Sequence, residues 1–162
     1  MDHAHVVRAL RESVHQTLQT GLAMASAAYD EATHAESKAE NKYDTRGLEA
    51  SYLAAGQAVR IAALRRVSAF FDQLGDGVAT EGVAAGLGAL VALEDAQGVV
   101  RWSFVAPDGG GITVVVDGVE VRVITRDSPL GEALLGAVEG DVLELAQPRP
   151  QELTVLRVTG SV

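Results

Sequence analysis

Glu36, Glu40 and Asp44 stand four residues apart within HAESKAENKYDTRGLEASY, residues 34–52. On a continuing helix that spacing puts three carboxylates on one face, where like charges repel mildly. Lys38 and Lys42 lie between them and relieve part of the repulsion. What remains of it asks for an explanation, and the plain one is a solvated turn in which Asp44 caps the helix that follows.

The remaining polar clusters carry less chemistry. His3 and His5 form an H-x-H pair, but two ligands fall short of a metal site; His15 and His34 read as surface residues of a helix. Arg60, Arg65 and Arg66 make a modest basic stripe, read first as solvated charge and second as a face toward a partner or nucleic acid. Gly109-Gly110-Gly111 lacks the Lys-Ser/Thr that a phosphate-binding loop needs after its glycines. Trp102 sits in a β-prone run and is assigned to the core.

Two kinds of element must position these residues. From Val6 to Tyr29 the larger apolar residues fall at Val7, Leu10, Val14, Leu18, Leu22, Ala25 and Tyr29, steps of three and four that mark one helix face. A second run, Leu48, Tyr52, Ala55, Val59, Ala62, Val67, Phe70 and Leu74, has nearly the same spacing. No proline precedes Pro107. The spacing predicts two helices of roughly 30 residues, each about 45 Å long, packed antiparallel as a coiled-coil hairpin.

The period changes after Leu74. GDGVATEGVAAGLG reads as a linker. Short β-prone runs follow at residues 89–93, 99–105, 112–116, 119–124, 142–145 and 153–158. Asp117-Gly118 between two Val-rich runs predicts a two-residue hairpin. SPLGEALLG predicts one short helix, with Ser128 as N-cap, Pro129 as first helical residue and Gly136 as the stop. The fold class is therefore α+β: an antiparallel coiled-coil hairpin over 1–76 with its tip at about 36–47, a linker over 77–87, and a small, mainly antiparallel β domain with one short helix over 88–162.

Composition narrows the function classes. The 162 residues are 48% hydrophobic and 22% charged, with only 4% aromatic, so the core must be built from Val, Leu and Ala. A net charge of −9 argues against gripping nucleic acid through its phosphates, which needs a basic stripe. No sequence-specific DNA binding is expected. The absence of cysteine rules out disulfides and thiolate zinc sites. MDHAHVVRAL lacks the basic and apolar regions of a signal peptide, and the most apolar window, 78–93, carries Glu81 and several glycines and falls short of a membrane span. A cytoplasmic protein without membrane contact is expected.

With these motifs in this order, the chain resembles the GreA/GreB family of bacterial transcript-cleavage factors. VRVITRDSPLGEALLGAVEGDVLEL, residues 121–145, is similar to the family signature of strand, Ser-Pro turn, short helix and Gly-Asp before a further strand. The hairpin puts its turn where the family keeps an acidic tip. The resemblance implies an FKBP-like C-terminal domain that docks at the rim of RNA polymerase, and a coiled coil inserted in the secondary channel. It implies tip acids that help hold a second Mg²⁺ at the polymerase's own active centre, so that the polymerase hydrolyses the 3′ end of a backtracked RNA. Such a factor is an accessory protein, not an enzyme, binds no cofactor alone and meets the RNA 3′ end only indirectly.

The resemblance carries over residue by residue. Glu40-Asn41 matches the central Glu-Asn of the family's tip, so Glu40 is the acid assigned to the shared metal; Glu36 and Asp44 are the neighbouring candidates. Ser37 stands where the family has Asp, and Lys-Tyr-Asp replaces the expected x-Glu-Tyr. Asp127, Ser128 and Pro129 match the turn that contacts the polymerase rim. Two other readings remain: a Gre homologue that occupies the channel and modulates or inhibits transcription without promoting cleavage, and a coiled-coil interaction protein with no polymerase link.

Overall fold

The computed structural model describes residues 1–33, 46–75, 79–146 and 150–161. Helix α1 runs His3–Thr33 and α2 runs Arg46–Leu74, two long helices as the spacing predicts. Strands β1 (Ala79–Glu81), β2 (Leu90–Asp95), β3 (Val100–Ala106), β4 (Thr113–Val116) and β5 (Val119–Thr125) follow; helix α3 (Pro129–Leu134) then precedes β6 (Val142–Leu145) and β7 (Gln151–Ser161). Among the described residues no helix is long and apolar enough to cross a membrane.

The strands form one sheet in the order β1-β7-β2-β3-β5-β4, with β6 also paired to β7. Of the pairs, β3–β5 is parallel and the rest are antiparallel. Asp117 and Gly118 both take positive φ, 53° and 78°, the conformation a two-residue type I′ hairpin requires between right-twisted strands. Residues 79–81, in the stretch predicted as a linker, pair with the end of β7 as β1. Two backbone hydrogen bonds then tie Ala85 to the end of α3, from its N–H to the Ala137 carbonyl and from the Gly136 N–H to its own carbonyl, each 2.8 Å.

Alternation along the strands sends side chains to opposite faces, and each face has its own core. On one, Leu90, Phe104, Val121 and Val123 meet Val6, Val7, Leu10 and Val14 of α1 with Val67 and Phe71 of α2. On the other, Val91, Val105, Leu153 and Val155 meet Leu134 of α3, with Leu143 and Leu145 of β6. The base of the helical hairpin thus shares a core with the sheet. Trp102 is partly buried against the first of these cores, as its place in a β-run predicts.

The apolar row of α2 differs from the predicted one. Val59 is 71% exposed and Ala62 is exposed, whereas Ile61, Val67 and Phe71 are buried. Phe71 rather than Phe70 is fully enclosed. The physical reason is that alanine suits either face, so Ala54, Ala55, Ala58, Ala62 and Ala63 blur the pattern until the large residues decide it. Ile61, Leu64, Val67 and Phe71 keep a helical period of three and four; the predicted row needed a step of five between Ala62 and Val67.

Candidate functional site

Helix α1 is buried at its start and emerges along its length. Val6, Val7, Leu10 and Val14 are essentially inaccessible, while Leu22 is 38% and Met24 61% exposed. Residues 55–60 of α2 are all exposed. The described side chains of α1 beyond Val14 run to Ala27, about 20 Å of helix at 1.5 Å per residue, and none of them is among the buried residues of the sheet's two cores. The hairpin therefore leaves the β-rich part and leads toward residues 34–45. Glu36, Glu40 and Asp44 lie there, outside the described residues, as does His34.

The base is fastened by polar contacts as well as by packing. The His3 ring lies 5.8 Å from that of Phe104, and its Nε2 donates to the Gly88 carbonyl at 2.7 Å, which leaves Nδ1 buried and without a partner among the described residues. His5 instead faces solvent beside Asp2, at 4.0 Å. The two rings of the H-x-H pair diverge, so it makes no metal site. Arg11 donates through Nε and Nη2 to the Phe71 carbonyl, at 3.2 and 3.1 Å, and joins α1 to α2. Arg66 of the predicted basic stripe makes two hydrogen bonds to Asp108, at 3.1 and 3.2 Å, and ties α2 to the β3–β4 connection. These bonds raise the pKa of its guanidinium further. The stripe is thus partly spent on structure. His15 likewise pairs with Asp72 at 3.2 Å, a surface contact between the two helices.

The Asp127-Ser128-Pro129 turn is built as its sequence predicts. Ser128 Oγ accepts from the Gly131 N–H at 3.1 Å and donates to the Thr125 carbonyl at 2.6 Å. Pro129 opens the helix, where its missing N–H costs nothing, and Gly136 ends it at φ 84°. Gly131 is obligatory, because a Cβ there would fall 1.9 Å from the Thr125 carbonyl oxygen. The turn presents Asp127, with its side chain 78% exposed and 3.4 Å from Arg126, beside an exposed Pro129. Ser128 is half-buried and spends its hydroxyl on the cap. Among the described residues no group of three or more His, Asp or Glu could hold a metal ion.

Three solved structures are similar to this chain over nearly its whole length. They are GreA factor homolog 1 (Gfh1) of Thermus thermophilus at 29% identity, covering 93% of this chain and 94% of that one with a TM-score of 0.37; the transcription factor Gfh1 at 28%, covering 93% of each with a TM-score of 0.39; and Gfh1 of Thermus aquaticus at 27%, covering 93% and 94% with a TM-score of 0.37. Each is a protein that this chain is similar to in sequence and extent. TM-scores this low make the likeness one of sequence and extent, not of close superposition. Neither a family model nor a curated protein matches it.

One feature escaped sequence reasoning. The sheet face beside α3 is not fully covered, and a groove lies there between Leu130 of α3 and residues of β2, β3, β5 and β7. Its residues are scattered over 60 positions of sequence, and no local motif could have drawn them together.

Proposed function

We propose that this chain is a Gre-like transcription elongation factor that enters the secondary channel of RNA polymerase with its helical hairpin and stimulates cleavage of backtracked transcripts by the polymerase. The observation that carries this reading is the mounting of the hairpin. Its base is locked into the sheet's core, and beyond Val14 the described residues of α1 lie outside both cores, as do residues 55–60 of α2, with many of them exposed. A stiff rod on a broad base suits insertion into a channel. The Asp127–Pro129 turn, exposed and held by a capped helix, offers a defined contact for the channel's rim.

In the complex, Mg²⁺ would supply charge stabilisation to the attacking and leaving oxygens at the polymerase's active centre. Glu40 would contribute one carboxylate to that shared site, with Glu36 or Asp44 as its neighbour. The chain itself assists and holds no complete active site. A second reading is favoured by Ser37, which stands where an acid is expected, and by the altered order after Asn41. On that reading the hairpin occupies the channel and slows nucleotide addition without promoting cleavage.

A backtracked elongation complex with the cognate polymerase and Mg²⁺ separates the readings. Cleavage stimulated by the wild type and lost in Glu40→Ala is the expected result. Binding that slows elongation without cleavage supports the second reading. Absence of both binding and cleavage overturns the two together.

A further inference from the structure

We propose that the free edge of β4 is a docking site for an extended segment of another protein, which joins the sheet as one further antiparallel strand. β4 ends the strand order β1-β7-β2-β3-β5-β4, and its pairing with β5 is fixed at both ends. At the start, the Val123 carbonyl accepts from the Gly111 N–H at 3.0 Å and the Val123 N–H donates to the Ile112 carbonyl at 2.8 Å, a bulge that Gly111 permits with φ 87°. At the end, Val116 and Val119 flank the two-residue turn. Hydrogen-bonded pairs alternate along an antiparallel ladder. Val114 and Val116 therefore turn their N–H and C=O groups to β5, and Thr113 and Val115 turn theirs to the open side. Both of the latter residues are exposed, Val115 at 69%. The edge thus offers donors and acceptors in the spacing of a strand, which is what a strand pairs with.

Natural sheets blunt such edges with charged residues, proline or very short strands. β1 has three residues and carries Glu81, and β6 carries Glu144. β4 reads TVVV, with no charge and no proline, and its bulge lies before the strand rather than within it. A second copy does not fit this edge. α1 rests on β4, whose Val114 packs against the core they share. Two β4 strands side by side would bring their α1 helices to about 5 Å, where packed helices need about 8–10 Å. The charges beside the edge say what the added strand carries. Thr113 pairs with Arg122 and Val115 with Glu120, and both charged residues are exposed with no ion-pair partner among the described residues. An antiparallel strand fits with a basic residue opposite Val115, an apolar one opposite Val114 and an acidic one opposite Thr113, in the order Lys-x-Glu. These positions stand about 10 Å from Glu120 and Arg122, two strand spacings, a span that long side chains cover. The inference does not depend on the polymerase reading.

A nuclear magnetic resonance titration of the isotope-labelled protein with the capped peptide Thr-Val-Lys-Val-Glu-Val-Thr tests it. In the free protein the Thr113 and Val115 amides should exchange with solvent about tenfold faster than those of Val114 and Val116, and the peptide should slow them. Saturable shifts centred on residues 112–116 are expected, with a Kd on the order of 1 mM. N-methylation of the peptide's Lys or Glu, whose amides face β4, should weaken binding about tenfold, whereas N-methylation of the Val between them should leave it unchanged. Exchanging the peptide's Lys and Glu should weaken it about threefold. Val115→Pro removes an outward N–H and no bond to β5, so it should keep the fold, checked by a circular dichroism melt, and weaken binding about tenfold. Equal weakening by all three N-methyl groups, shifts centred on Leu130 and Leu153 beside α3, or no saturable shifts would each overturn the proposal. So would shifts at residues 112–116 that grow with protein concentration alone, the mark of a second copy.

Discussion

At the scale of single residues, the helix α3 entry concentrates the most constraint in the fewest atoms. Gly131 lets the helix start pass against the Thr125 carbonyl, a contact that no larger residue can make without moving the backbone. Gly131→Ala should destabilise the protein by about 3 kcal/mol, the upper part of the range for overpacking a close contact. Ser128→Ala loses a cap and should cost about 1 kcal/mol. Urea unfolding of the two single variants and the double variant checks both values. The double should fall short of their sum, because both substitutions loosen the same turn.

A second residue, Asp95, closes the β2–β3 turn. Its carboxylate accepts from the Val99 and Gln97 N–H groups at 3.0 Å each and pairs with Arg101. The Val99 bond is the largest influence; with Gln97 and Arg101 it outweighs the opposing effect of desolvation and holds the carboxyl below its ordinary value of 3.8. A depressed carboxyl stabilises the fold above its unfolded pKa and loses that contribution as pH falls through the folded one. Wild type should therefore lose melting temperature more steeply on acidification below about pH 4 than Asp95→Asn does. Parallel slopes for the two proteins would refute it.

At the scale of elements, the two long helices divide into a half that packs and a half that stands clear. Phe71 is fully buried between Phe104 of β3 and its neighbour Phe70, with ring centroids 5.5 and 5.4 Å apart. Phe71→Ala should cost about 3–5 kcal/mol. Val59→Asp, on a residue 71% exposed, should change stability by no more than about 0.5 kcal/mol. The two substitutions, compared by chemical denaturation, test the corrected face of α2. That correction also shows what the sequence could and could not tell. Local chemistry was legible: the Asp117-Gly118 hairpin, the Ser-Pro helix entry and the strand positions each depend on adjacent residues. The face of an alanine-rich helix was not, because alanine marks no side and the partner that selects the face comes from β3, far along the chain. The Asp127–Pro129 turn was legible for the same local reason. The groove was not, since Leu93, Ser103, Arg122 and Leu153 meet only through strand order.

At the scale of the whole molecule, the decisive feature is that one core contains residues from the first helix, the second helix and four strands. A hairpin joined to a β domain by a linker alone would melt separately from it. Here Val6, Val7, Leu10 and Val14 lose their burial if the sheet opens, and Leu90, Phe104 and Val123 lose theirs if the helices leave. Shared burial of this kind makes unfolding cooperative. The sole tryptophan, Trp102, packs at the edge of the shared core on β3 and reports on the sheet, while the far-ultraviolet helix signal comes mainly from α1 and α2. On denaturation the two signals should change at one midpoint. Leu10→Ala should move both by the same amount, with a loss of about 2–5 kcal/mol. If the helix signal moved and the tryptophan signal stayed, the base would be a separable joint. Coincidence means that the base of the hairpin and the sheet that carries the Asp127–Pro129 turn behave as one cooperative body.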